Sequence, residues 1–187
     1  AGLALGTKDV AAFAYDYPMT SQSRADDVFV DSFGVTIHFH RWSPKKTPVG
    51  ILQLAHGLGE HALRYQALVD FLVAAGFEVW ANEHRGHGAT GVEQWSGDMT
   101  KMGKLGPGGM RATLRSVRDF TKLIRAERPG IPLYFLGHSW GSIMGQMILN
   151  QGGAADYEGM IHTGTAYRWP GSMNAGDLNS RHKHLGT

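Results

Sequence analysis

Three short, nearly continuous apolar runs, Ile51-Leu52-Gln53-Leu54-Ala55, Phe77-Glu78-Val79-Trp80-Ala81 and Pro132-Leu133-Tyr134-Phe135-Leu136, constrain this chain most. Strands exposed on one face alternate apolar and polar residues; strands covered on both faces do not need to, so such runs belong inside a parallel sheet. Helical periodicity separates them. Leu68, Phe71, Leu72 and Ala75 recur at helical spacing, with Gly76 placed as a C-cap. Met110, Leu114, Val117, Phe120 and Ile124 step by three or four up to Pro129-Gly130, and Ile143 to Leu149 follows the third run. Strands alternating with helices from residue 50 onward predict an α/β fold, a mostly parallel sheet with right-handed crossovers and flanking helices. Val28–Val30 and Val35–Phe39 alternate across Gly34, which predicts a hairpin ahead of it. Met160 to Ala166 reads as one more strand, and residues 91–109 as irregular loop.

Where the third run gives way to helix stand Gly137-His138-Ser139-Trp140-Gly141. With 26 glycines in the chain, a bare Gly-x-Ser-x-Gly arises easily by chance. A strand before it and a helix after it give the pattern its meaning. A serine on a sharp strand-to-helix turn adopts strained backbone, and the flanking glycines let neighbouring chain pass close by. Ser139 is therefore the candidate nucleophile. A serine hydroxyl also needs a base, a group to orient that base, and donors for the oxyanion that forms on the attacked carbonyl. The N–H of Trp140 is one candidate donor, and the N–H of Leu58, in the loop His56-Gly57-Leu58-Gly59 after the first run, is the other.

Composition excludes several classes. The 187 residues suit one sizeable domain, and a formal net charge of +2 gives no footprint for nucleic acid. Without cysteine there is no disulfide framework, thiolate nucleophile or cysteine zinc site. No apolar stretch approaches the ~18 residues that span a membrane, and the start lacks a signal peptide's basic region and long apolar core. A soluble, cytoplasmic protein without metal or cofactor is expected. His38 and His40, two apart on a strand, geometrically allow a metal pair but have no third ligand in view.

Gly137-His138-Ser139-Trp140-Gly141, His56-Gly57-Leu58-Gly59-Glu60-His61 and Arg85-Gly86-His87-Gly88 together resemble the α/β-hydrolase superfamily, and the second motif resembles its monoacylglycerol lipase and lysophospholipase branch. The resemblance covers about residues 26 to 167. It implies a carboxylic-ester hydrolase working through an acyl-enzyme on a small acyl ester, with Leu58 and Trp140 at the oxyanion-hole positions. Acyl transfer, thioester or lactone hydrolysis would use the same machinery, and a non-catalytic relative would keep the turn as architecture. The chain departs from the family pattern at Glu83 (often Asp), Thr90 (often Ser), Ser142 (often Gly) and Trp140 (usually Met or Gln), where a bulky ring would crowd or line the pocket.

The family's acid and histidine follow the serine in the chain. The candidates here are Asp156, Glu158, Asp177, His162, His182 and His184. Asp156, Glu158 and His162 lie at or in a predicted strand and read as satisfied structural groups; His182 and His184 flank Lys183 near a polar end. The expectation is an incomplete hydrolase fold: an N-terminal arm at 1–25, the N-terminal part of the core at 26–167, and the start of a lid or cap at 168–187. Acid and histidine would come from sequence beyond this chain, a complementary C-terminal segment packed against the strand at 160–166. His84 and His87 are expected as hydrogen-bonded turn residues, and His56 and His61 as groups ordering the oxyanion loop, with Glu60 pairing with either.

Overall fold

The computed structural model describes residues 23–165. Most of the expected N-terminal arm and all of the expected lid at 168–187 lie outside the described residues. β1 (Ser23–Val30) and β2 (Thr36–Ser43) form the anticipated hairpin, Ser23 opposite Ser43 and Val30 opposite Thr36. β1 starts inside the stretch read as arm. Its residues from Arg24 to Val28 are exposed, so backbone pairing rather than an apolar face defines it there. In the turn, the Asp31 carboxylate accepts the N–H groups of Phe33 (2.9 Å) and Val35 (3.0 Å), and Gly34 takes φ 77°.

β3 (Gly50–Ala55), β4 (Phe77–Asn82), β5 (Leu133–His138) and β6 (Gly159–Thr163) complete a sheet of order β1-β2-β4-β3-β5-β6. β3 pairs in parallel with both β4 and β5, and β5 with β6; β2 joins β4 antiparallel. The expected mostly parallel α/β sheet is present. β6 stops at Thr163, short of the expected Ala166, which lies outside the described residues.

Among the described residues four α-helices flank the sheet: α1 (Gln66–Ala74), α2 (Gly88–Gln94), α3 (Gly109–Glu127) and α4 (Trp140–Asn150). The central strands feed two cores. Leu52, Leu54 and Val79 pack with Val69 and Val73 of α1 on one face; Ile51, Trp80 and Phe135 pack with Val117, Phe120 and Ile124 of α3 and Met144 of α4 on the other. Successive residues of β3 thus serve opposite faces, which is why its run needs no polar alternation. Gln53, wholly buried in β3, donates to the Val117 carbonyl (3.2 Å) and accepts from the Thr121 hydroxyl (2.9 Å), so its amide costs little to bury.

α2 corrects the reading of 91–109 as loop throughout. Gly-Ala-Thr-Gly is a poor helix former, and tertiary contact makes it helical. The Thr90 hydroxyl accepts from the His38 N–H and donates to the Glu83 carbonyl, each at 2.9 Å. A Cβ on Gly91 would lie 2.5 Å from the Gly86 carbonyl carbon, so only glycine lets this helix close on the preceding turn. The Asp98 side chain caps a 3₁₀ turn at Met99–Lys101.

Phe120 is fully buried, stacked on Phe29 (ring centroids 5.6 Å) and tilted against Phe39 (5.2 Å). Phe120→Ala is expected to cost about 3–5 kcal/mol of stability, read as a lower denaturation midpoint followed by tryptophan fluorescence.

Candidate active site

The turn between β5 and α4 puts Ser139 at φ 51° and ψ −110°, one of only two non-glycine residues with positive φ among the described residues. Such backbone is strained by roughly 1–3 kcal/mol and persists only where its surroundings over-determine it. They do so here. The Ser139 N–H donates to the Thr163 carbonyl at the end of β6 (2.8 Å), while its own carbonyl accepts from the N–H groups of Ser142 and Ile143 (3.1 Å each) and from the Ser142 hydroxyl (2.6 Å). Ser142, a departure from the family pattern, therefore adds a bond to the turn.

Both flanking glycines are sterically required. A Cβ on Gly137 would lie 2.5 Å from the Gly141 carbonyl oxygen. One on Gly141 would collide with the Ala55 carbonyl oxygen and lie 2.9 Å from that of His56. The loop after β3 thus rests directly on the first turn of α4. A methyl on Gly57 would lie 3.4 Å from Ser139 Cβ, so this loop borders the serine side chain. Leu58, the expected partner donor, is exposed on it. Trp140 opens α4, where an N–H has no carbonyl within the helix to bond. Its ring is buried in the core against His84 and His87 (centroids 5.4 and 5.3 Å).

Behind the loop lies a buried polar cluster. The Glu83 carboxylate, 2 % exposed, accepts from the Ala62 N–H and meets His40 Nε2 at 3.1 Å; His40 Nδ1 meets Asp26 at 2.8 Å. Burial is the largest single influence and opposes charge on His40 and Glu83, but their mutual hydrogen bond acts together with Asp26 on His40, and with His56 and the Ala62 N–H on Glu83, and the sum raises the His40 pKa and lowers that of Glu83. His56 behaves differently. Its Nδ1 lies 2.8 Å from the Gly57 carbonyl and so carries the proton, while its Nε2 accepts from the His84 N–H (3.1 Å). Burial brings its pKa down to about 4. The 3.6 Å approach of Nε2 to Glu83 is accordingly not an ion pair, because Nε2 carries no proton and the ring is neutral. His84 and His87 are turn residues as expected, buried and pushed to lower pKa by desolvation.

Other expected groups fall elsewhere. Glu60 pairs with neither His56 nor His61; its carboxylate accepts the Gly57 N–H (3.0 Å) and the Tyr65 hydroxyl (2.6 Å). His61 is exposed and caps nothing with its side chain. Glu158 accepts the Leu133 N–H and pairs with Arg125, the structural role anticipated. His162 does not find the partner expected of it: its Nε2 is buried without a hydrogen bond among the described residues. Asp177, His182 and His184 lie outside the described residues. Among the described residues Ser139 Oγ forms no hydrogen bond to a histidine or an acid. His38 pairs with Glu93 at 2.6 Å, and among the described residues no cluster of three His, Asp or Glu side chains is arranged to hold a metal ion.

A parallel sheet carrying a positive-φ serine between strand and helix, with a glycine loop from the adjoining strand beside it, defines the α/β-hydrolase class. The chain belongs to the family described as "Serine aminopeptidase, S33", which matches residues 46–184. It is 32% identical over 157 residues to the monoacylglycerol lipase of Mycolicibacterium smegmatis, covering 79% of this chain and 49% of the relative. It is 29% identical over 112 residues to the monoglyceride lipase of Homo sapiens, covering 60% and 34%. A thermostable carboxyl esterase from Bacillus coagulans, solved in complex with glycerol, superposes with a TM-score of 0.73 at 29% identity, covering 87% of this chain and 50% of the esterase. The chain spans about half the length, or less, of these relatives. No helix among the described residues is long and apolar enough to cross a membrane.

The histidine cluster has a pH consequence. Between pH 6.5 and about 4 the folded protein binds fewer protons at His56, His84 and His87 than the unfolded chain does, so stability falls as pH falls through this window. His40, with a raised pKa, acts oppositely: its contribution is complete below the ordinary histidine value and is lost as pH rises through the raised one. Three groups oppose one, and His56 alone accounts for about 3 kcal/mol. Urea midpoints are expected to drop steadily from pH 7 to pH 4, and a midpoint independent of pH over this range contradicts the assignment.

Proposed function

We infer that the protein is a serine hydrolase that cleaves carboxylic esters, of the monoacylglycerol, lysophospholipid or small acyl type, through an acyl-enzyme. Ser139 Oγ attacks the ester carbonyl, and the N–H groups of Leu58 and Trp140 hold the oxyanion, each donor worth roughly 3 kcal/mol of transition-state stabilisation. The serine proton passes to a histidine oriented by an aspartate or glutamate. Both belong to a complementary C-terminal segment, in the part of the relatives' length that this chain does not span. The observation that carries this reading is the strained Ser139 backbone, φ 51°, on a turn closed by the oxyanion loop. The names of the relatives, monoacylglycerol lipase and carboxyl esterase, support an ester as substrate. The description of the family names an aminopeptidase instead.

A fluorophosphonate probe is expected to label the full-length protein at Ser139, with labelling abolished in Ser139→Ala. p-Nitrophenyl butyrate should then be turned over and aminoacyl p-nitroanilides should not. Absence of labelling favours a non-catalytic relative, and turnover of the anilides alone favours a peptidase.

A further inference from the structure

The loop beside Ser139 is held at one residue, Gly57, through the peptides on either side of it, by groups that the chemistry of ester cleavage does not itself require. Gly57 is buried, yet both of its backbone polar groups are bonded to side chains. Its N–H donates to Glu60 Oε2 at 3.0 Å, and the same oxygen accepts the Tyr65 hydroxyl at 2.6 Å. Its carbonyl accepts from His56 Nδ1 at 2.8 Å and, more weakly, from the Glu60 N–H at 3.4 Å.

The Gly57 carbonyl and the Leu58 N–H belong to one peptide plane, and no peptide bond among the described residues is cis. In a trans peptide the two dipoles point in opposite directions, so fixing one fixes the other. We propose that His56, Glu60 and Tyr65 are positioning residues: His56 holds the Gly57–Leu58 peptide by its carbonyl, and Glu60, steadied by the Tyr65 hydroxyl, holds the adjoining His56–Gly57 peptide by its N–H, so that the Leu58 N–H faces the space over Ser139. The proposal rests on the reading of Leu58 as an oxyanion donor.

Several features agree with such a clamp. The His84 N–H occupies His56 Nε2, which leaves Nδ1 as the only position for the ring proton. The tautomer that grips Gly57 is thus set by the backbone of the β4 turn. Glycine at 57 leaves room for the carboxylate, because a Cβ there would lie 2.9 Å from Glu60 Oε2 and displace it. The Gly57 N–H, already committed to Glu60, is removed as a competing donor. Arg64 Nε lies 3.6 Å from Glu60 Oε1 and moderates the negative charge placed near the site. A preorganised donor needs no reorganisation when the oxyanion forms, which is where such groups gain their catalytic effect.

The test compares substitutions that differ in one atom's position. In asparagine the side-chain nitrogen takes the place of Nδ1, and in glutamine that of Nε2. With p-nitrophenyl butyrate, His56→Gln is expected to lower kcat about 100-fold, the effect of losing one oxyanion donor, with KM little changed. His56→Asn should recover most of the loss. Tyr65→Phe and Glu60→Ala, both at half-buried positions, should lower kcat and weaken binding of butylboronic acid, a mimic of the tetrahedral adduct, in parallel. Equal kcat for the Asn and Gln variants, or losses confined to KM, overturn the clamp. Imidazole nitrogen NMR shifts test it without any turnover: His56 should be a single neutral tautomer protonated at Nδ1 near neutral pH, and an Nε2-protonated ring overturns the proposal. A wild-type protein that fails to react with fluorophosphonate instead overturns the serine reading, and the NMR result still judges the clamp.

Discussion

Close approach of backbone to backbone at the carboxyl edge of β3 and β5 is the constraint on which the rest of this structure depends. The first turn of α4 lies against the end of β3 because Gly141 has no Cβ to meet the Ala55 carbonyl, and against β5 because Gly137 has none to meet the Gly141 carbonyl. Parallel pairing of β3 with β5 brings Ala55 opposite Gly137 and so delivers both loops to one place. A ligand crevice at the carboxyl ends of parallel strands is the general consequence of this kind of topology. Here it is realised by two glycines and one strained serine.

The polar cluster behind the loop converts burial into rigidity. Glu83 joins β2 through His40 and the helical turn at Ala62 through its N–H, while His84 locks the tautomer of His56. In a low-dielectric setting each satisfied bond is strong and each unsatisfied group costly, so few alternative arrangements are open to these residues. Replacement of the family's more usual aspartate by Glu83 keeps the carboxylate and lengthens its reach. The buried Asp31–Arg85 pair, 3.3 Å apart, ties the hairpin turn to the same region, and Arg85 also donates to the Pro107 carbonyl at 2.7 Å.

Legibility in the sequence followed the physical origin of each element. Strands β3, β4 and β5 and helices α1, α3 and α4 could be read because burial on one or two faces imposes a pattern on residue type. α2 could not, because Gly-Ala-Thr-Gly has little helical preference and is shaped by contacts of Thr90 and Gly91 with distant backbone. The early start of β1 was equally silent, since an exposed edge strand needs only backbone partners. At the candidate site, glycine spacing pointed to Ser139, Leu58 and Trp140. It gave no sign that Glu60 would turn to Gly57 and Tyr65 rather than to a histidine, a choice of rotamer and neighbour that residue type does not encode. His162 was read as satisfied because polar groups in strands usually are, and its Nε2 is not.

Residue pattern alone therefore determined the layered α/β architecture, the strand-to-helix turn and the residue on it, because apolar periodicity and obligatory glycines are properties of short stretches of chain. Tertiary structure decided which atoms meet: the inward turn of Trp140, the neutral tautomer of His56 and the double hold on Gly57. Those depend on distances between segments far apart in the chain, and desolvation with hydrogen-bond geometry selects among arrangements that the linear order of residues leaves equal.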